Sequence, residues 1–401
     1  MSGSLGTEPR AGFFYLVATL VALHACMAST RIAASLAVLQ QGYGEWVVGG
    51  LLSLYAVAPI VLSLWAGRLA DRFGLHRPVK WAVAMALLGA ALPVATQHVA
   101  ALALSGLLTG GALSTAAVAI QREAGQMARD ADDLKRVFSW VALGPALSNT
   151  LAPIVTGLLI DHAGFRAAFA FGALLPLVAV WAVLRVPRSA AATLAAAGPA
   201  LPGSGALDLL RVPHLRNLLL VNVAMAAAWD SHSFTVPVVG HARELSASAI
   251  GLVLSSFAIA STAVRVVILN WGEHIGEQRS LAAAITLATG VLAIYAWLPG
   301  TLGMMLGSAM LGVALGSVQP MVMSMLHQAV PRERQGQALA LRMLFTNAAT
   351  IAMPLLFGLI AAASSYAVPM WLMAAMLIAA RWPVARLKTP PARLETDAGR
   401  V

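Results

Sequence analysis

Twelve long apolar stretches, parted by short polar breaks, run from about residue 13 to residue 382 of the 401-residue chain. They cover 13–37, 46–66, 79–96, 99–120, 138–159, 167–185, 216–238, 249–269, 280–298, 301–325, 338–360 and 366–382. Each is close to the roughly 20 mostly apolar residues that a helix needs to cross the hydrocarbon core of a bilayer. Lipid offers no hydrogen bonds to an open backbone, so each stretch predicts a helix. The first follows a short polar segment, 1–12. It is too long for a signal-peptide core and no small-residue cleavage site closes it, so it is expected to be retained. One long break, 186–215, is rich in Ala, Pro, Gly and Ser. It separates a bundle at 13–185 from a second at 216–382, with a tail at 383–401. The expected fold is an all-α membrane protein of two six-helix, pseudo-symmetric bundles.

The two halves are copies. At an offset of 202 positions, Val48–Ala58 (VGGLLSLYAVA) lies over Ile250–Ala260 (IGLVLSSFAIA). The same offset puts Asp71, Gly74 and Arg77 over Glu273, Gly276 and Arg279. At 201 positions, Pro153 and Gly157 fall over Pro354 and Gly358. Internal repeats of this kind build many secondary transporters, with the substrate site between the repeats near the bilayer midplane.

Composition agrees with a membrane solvent. Charged residues make up 10% and hydrophobic ones 59%, with a mean hydropathy of +0.80. The net charge of +10 would suggest nucleic acid in a soluble chain, but here the basic residues fill the breaks between spans. With the N-terminus placed in the cytoplasm, 22 of the 26 Lys and Arg fall on the cytoplasmic side. Outside connections hold only Arg166 and Arg243, and the spans Arg31 and Arg265. The positive-inside rule therefore predicts a multi-pass inner-membrane protein with both termini cytoplasmic. Bilayer, protons and a small-molecule substrate are the expected partners, with no nucleic acid, and the chain is expected to be monomeric. The single cysteine, Cys26, permits no intrachain disulfide. Paired catalytic carboxylates, metal-ligand spacings and nucleophile motifs are missing, so neither an enzyme nor a bound cofactor or metal is expected.

The break between the second and third spans reads Gly67-Arg68-Leu69-Ala70-Asp71-Arg72-Phe73-Gly74-Leu75-His76-Arg77. With the twelve spans and the repeat, it resembles the signature cytoplasmic loop of the major facilitator superfamily. Gly67, Asp71, Arg72, Gly74 and Arg77 match; His76 stands where a basic residue is usual. A reversal at the membrane surface needs Gly for a tight turn and close helix approach. An Asp there can accept N–H groups from the start of a neighbouring helix and sit favourably in its dipole. The resemblance makes that neighbour the eleventh span, so Asp71 is expected to latch the halves when the cytoplasmic side is closed. The alternative is that the loop's basic residues only enforce topology.

Two other family patterns are weaker. The fourth span has Gly106 where the family places an Arg, so that residue's proton-relay role does not carry over. The fifth reads Ala152-Pro153-Ile154-Val155-Thr156-Gly157, which resembles the Gly-Pro-x-x-Gly-Gly element of exporters only at Pro153 and Gly157. That tilts the expected direction toward efflux. Small-residue pairs at Gly106/Gly110, Gly303/Gly307 and Gly312/Gly316 predict close helix crossings.

Ionisable groups at membrane depth are expensive and mark function. They are His24 and Arg31 in the first span, Asp230 and His232 in the seventh, and Arg265 in the eighth. Asp230 is the carboxylate set well inside a span, roughly 21 Å along it at about 1.5 Å per residue. Arg31 overlays His232 at an offset of 201, so Arg31 and Asp230 are expected at similar heights on opposing cavity walls. Asp230 is the expected proton carrier, with His24 and His232 as relay members or buried structural histidines. Arg31 is expected to meet an anionic substrate group or to balance Asp230, unless it snorkels to the headgroups. Arg265 is expected to be a structural or gating partner. Tyr55, Asn222, Gln319 and Asn347 are further cavity candidates, and Gln121 and Asn149 polar alternates. The expected function is proton-coupled transport of a small organic solute by rocking of the halves. Proton-driven uptake of an organic anion is the close rival; a channel or membrane sensor is the distant one.

Overall fold

The protein is described by a computed structural model over residues 8–127, 131–187, 206–271, 276–330 and 334–387. The first half holds α1 (Glu8–Gln40), α2 (Glu45–Phe73), α3 (His76–Ala95), α4 (Val99–Met127) and α5 (Ala131–Val183). The second holds α6 (Pro213–Ala242), α7 (Ala247–Trp271), α8 (Glu277–Ile294), α9 (Gly300–Ala329), α10 (Gln335–Ala363) and α11 (Val368–Ala385). A 3-10 turn, Ala206–Arg211, falls within the expected linker, whose residues 188–205 lie outside the described residues.

Among the described residues, ten segments are long and apolar enough to cross a membrane. Two departures from ten complete the twelve expected crossings. The segment Trp140–Val183 is 44 residues long, about twice the length one crossing needs. Gly164, at φ 79° and ψ 175°, folds α5 back there, so it supplies two passes. The other departure is α6, whose Asn217, Asn222, Asp230 and His232 dilute its apolar run. The helix that carries most of the candidate chemistry is thus the least lipid-like. Large apolar side chains, including Trp140, Trp181, Ile259, Leu306 and Leu359, cover the outside of the bundle. Patches of that extent suit a lipid surface.

The internal repeat is repeated in the packing. A Cβ on Gly110 would lie 2.2 Å from the Tyr55 carbonyl oxygen, and one on Gly312 2.3 Å from that of Phe257. Both crossings of α4 on α2 and of α9 on α7 therefore require glycine. Gly106 against the Tyr55 ring and Gly316 against Ser261 continue the same rows. Gly307 packs instead on Leu298 and Tyr295, within the α8–α9 connection.

The two halves meet along two matching seams. In the α5–α7 seam a Cβ on Gly251 would stand 2.3 Å from the Pro153 oxygen, and one on Gly157 2.4 Å from the Ala247 oxygen. In the α2–α10 seam, a Cβ on Gly49 would stand 2.2 Å from the Pro354 oxygen, and one on Gly358 2.6 Å from the Glu45 oxygen. A serine hydroxyl ties each seam: Ser255 donates to the Thr150 oxygen at 2.7 Å, and Ser53 to the Ile351 oxygen at 2.6 Å. Both seams seal the face that carries the Gly164 turn. Pro153 and Gly157, read from sequence as remnants of an exporter element, are seam residues.

The loop between α2 and α3 is half accounted for. Gly74 ends α2 at φ 68°, where only glycine is unstrained, and its N–H donates to the Ala70 oxygen. Arg72 and Arg77 lie over the Phe73 ring, at 5.1 and 4.1 Å from its centre. Gly67, expected at a close approach, has nothing within 4 Å of a Cβ. The opposite face is the sealed one, so the helices at this end are not pressed together. The side chain of Asp71, with its expected latch, lies outside the described residues, as does most of the second copy at 272–275.

Candidate functional site

A cavity of about 220 Å³ lies between the halves, on the open side of the α5–α7 seam. Its wall is shared among α1 (Ala28, Arg31, Ile32), α5 (Pro145, Asn149, Pro153), α6 (Trp229, His232, Ser233) and α7 (Phe257, Ser261, Thr262, Arg265). Pro153 belongs both to this wall and to the seam, so the cavity ends where the halves close. Its size is below the range of about 300–1,000 Å³ typical of drug-sized ligands, so it suits a small solute.

The wall carries two guanidinium groups, from Arg31 and Arg265, and no carboxylate. Arg31, in the last third of α1, lines this space rather than snorkelling to the headgroups. Arg265 anchors its Nε to the Gly316 oxygen at 3.3 Å, which leaves the rest of its donor fork for the cavity. From sequence Arg265 is expected to be a structural or gating partner; it lines the cavity wall. Three rings form the apolar part. Trp229 meets Phe257 edge-on at 4.5 Å, and His232 stacks on the other neighbouring face of Phe257 at 4.3 Å. Rings next to arginines give a surface for flat or amphipathic solutes.

His232 is 2% exposed and fixed from behind. Its Nε2 meets the Ser308 hydroxyl at 2.9 Å, and that hydroxyl pairs with Tyr295 at 2.6 Å. This network ties α6 to α9 inside the second half. His24 lies two turns before Arg31 on the same stripe of α1. Its Nδ1 is buried without a hydrogen-bond partner, and it does not line the cavity.

Asp230 stands just behind the wall, between the wall residues Trp229 and His232 in sequence but turned toward α10. Thr350 is its neighbour there, and one carboxylate oxygen is buried with no hydrogen-bond partner. The charges of Arg31 and Asp230 lie within each other's range, yet no nitrogen–oxygen contact of 4.0 Å or less joins them. The two residues are neighbours across the halves rather than a closed ion pair.

The remaining candidates scatter. Tyr55 is buried against Gly106, away from the cavity wall. Asn222 bridges α6 to α10: its amide donates to Thr346 at 2.8 Å and its oxygen accepts from Arg342 at 3.2 Å. Gln319 is exposed and Asn347 half-buried, and neither lines the cavity. Asn149, a polar alternate in sequence, does.

Sequence reasoning missed Asp161, which sits in the connection between the two passes of α5. Its carboxylate accepts the Ala247 N–H at 2.9 Å and the Ser248 N–H at 2.8 Å, the first free donors of α7 in the opposite half. Burial tends to raise the Asp161 pKa, but hydrogen bonds from Ser248, Ala247 and Ser246 outweigh it and hold the group below the usual carboxylate range. Nothing in the local sequence marks this cap, because the repeat position of Asp161 is Ala362.

The sequence profile described as the Major Facilitator Superfamily matches residues 16–301 and 218–400, in two overlapping stretches. No curated protein matches in sequence. Solved structures similar in fold include a bacterial homolog of the human lysosomal transporter Spinster, in an inward-facing, occupied conformation. It has a TM-score of 0.76 at 12% identity, over 96% of this chain and 100% of that one. A peptide transporter POT in complex with sulfate gives 0.72 at 15% identity, over 94% and 96%. The nucleoside transporter NupG gives 0.71 at 13% identity, over 94% and 100%. With profile, fold and repeat in agreement, this chain belongs to the major facilitator superfamily.

Proposed function

We propose that this chain is a proton-coupled transporter of a small organic anion, and that anion and proton travel together. The observation that carries the proposal is the cavity wall, with two arginines and no carboxylate. A bare positive pair at membrane depth is costly, and a bound anion offsets that cost.

Asp230 links the anion to the proton. With the cavity empty, its carboxylate is the nearest opposite charge to Arg31. An arriving anion takes over Arg31 and leaves Asp230 a buried acid with one oxygen unpartnered. Taking a proton relieves that burial. For the Arg31 and Asp230 pair, one anionic group together with one proton leaves no net charge, whereas either alone leaves one. His24, below Arg31 on α1, lies where a proton could pass toward the open side.

The tilt toward efflux rested on Pro153 and Gly157. Both serve the α5–α7 seam, which alternating access needs whichever way cargo moves, so they weigh for neither direction. A shared binding of anion and proton favours uptake down an inward proton gradient, the rival reading of the sequence.

Purified protein in liposomes tests this. A panel of small mono- and dicarboxylates is offered with the pH gradient imposed in either direction. Accumulation that follows the proton gradient supports the proposal. Preference for organic cations, or accumulation against the proton flow, overturns it.

A further inference from the structure

Away from the transport cavity, a second hollow of about 560 Å³ opens at the other end of α6. It is bounded by the α6 start, the end of α9 and the end of α11, all in the second half. Its polar lining is His214, Arg216, Asn217, Gln328 and Arg386, with no carboxylate among the lining residues. Glu277, beside the lining residue Gln328, is held by Gln328 at 2.9 Å and by the Ser324 hydroxyl.

Two independent features point to an anion. The start of α6 has no side-chain cap: Val212 stands at the N-cap and Pro213 at the first turn, so the next N–H groups are open. Uncapped helix starts attract anions through those donors and the helix dipole. Beside it, Asn217 is only 5% exposed and lines the hollow, and its side chain makes no hydrogen bond among the described residues. A buried amide without a partner costs stability unless something fills its place.

We propose that this hollow binds a phosphate group, and that its source is the headgroup of an anionic phospholipid. Arg216 and Arg386 bring two guanidinium groups to the lining, the residue type that matches phosphate geometry. Lipid is favoured because Arg386 lies 3.5 Å from the centre of the Trp382 ring, and Trp382 is 57% exposed at the rim. Tryptophan and arginine together at a helix end mark the headgroup level of a bilayer. Basic residues at that depth attract anionic headgroups. Because every lining element belongs to the second half, a lipid held here anchors that half to one leaflet while the first half moves.

Native mass spectrometry of the purified full chain in detergent provides the test, with phosphatidylglycerol, phosphatidylcholine or inorganic phosphate added. The wild type is expected to retain phosphatidylglycerol over phosphatidylcholine. Arg216→Gln with Arg386→Gln should lose roughly thirtyfold in retention, two arginines' worth of attraction near an anionic headgroup. Both side chains are exposed, so the variant should fold; Asn217→Leu, which keeps the shape and removes the amide, gives a second reading through a smaller loss. Equal retention of the two lipids, or no loss in either variant, overturns the site. Thermal stabilisation by inorganic phosphate equal to that by phosphatidylglycerol keeps the phosphate chemistry and overturns the lipid assignment.

Discussion

Asp161 crosses from the first half to cap a helix of the second, its Oδ2 accepting the Ser248 N–H at 2.8 Å. The matching α2–α10 seam has no such cap. There the repeat position is Ala362, and the acid, Glu45, sits in the first turn of α2 itself. Of the two seams, only the α5–α7 seam carries a charged cap from the opposite half.

Asp161→Asn should therefore favour opening of the sealed face. An N-terminal carboxylate cap contributes about 0.5–1 kcal/mol when solvent-exposed, as here. The ratio of open to closed protein should rise about two- to fivefold. Spin-label distances across the Gly164 face read this directly; an unchanged distance distribution would remove Asp161 from the closing mechanism.

The same contact has a pH signature. Asp161 is held below the carboxylate range when the seam is closed and returns to about 4 when it opens. A group with a depressed pKa in the closed state stabilises it above the open-state value, and loses that contribution as pH falls through the closed-state value. Closure should thus be constant from pH 7 to about 5 and weaken below about 4. Asp161→Asn should show no such weakening; a variant with the wild-type pH profile would assign it to another group.

Gly251 and Gly67 separate close approach from open space. Gly251→Val places atoms against the Pro153 oxygen, an overpacking that costs about 1–3 kcal/mol, and should block the seam. Gly67→Ala meets nothing within 4 Å, so the conformation described here should hold and the thermal midpoint should not fall. If Gly67 becomes a close contact only when its own face shuts, Gly67→Leu should slow transport without lowering stability. Transport unaffected by Gly67→Leu would remove glycine from that face's closure.

The twelve crossings, the repeat and the close crossings at Gly110 and Gly312 were legible in the sequence, because lipid dictates apolar length and small residues dictate approach. Arg31 was expected in the cavity because charge at membrane depth needs a partner; His232, expected as a relay or structural histidine, also lines it. Asn222 and Gln319 were not separable by type: one amide bridges α6 to α10 and the other is exposed, and only helix rotation distinguishes them. The Arg265 wall position depends on how α7 packs against α5, which periodicity along α7 alone does not encode. Asp161 was invisible because its partners are backbone N–H groups 86 and 87 residues away.

Orientation is tested by labelling. Cysteines introduced at Ser204 and Arg400 should resist an impermeant reagent in intact cells and react after permeabilisation. Cys26 is fully buried and contributes no background. Labelling of either position in intact cells would reverse the topology.

The most direct measurement is substrate exchange against net, gradient-driven accumulation in liposomes containing Asp230→Asn. If Asp230 carries the proton and Arg31 the anion, exchange of labelled for unlabelled anion persists in Asp230→Asn while accumulation driven by a pH gradient disappears. Arg31→Gln should lose binding and with it both activities. Full pH-driven accumulation in Asp230→Asn would contradict the mechanism, because the proton would then travel without the carboxylate that stands behind the cavity wall.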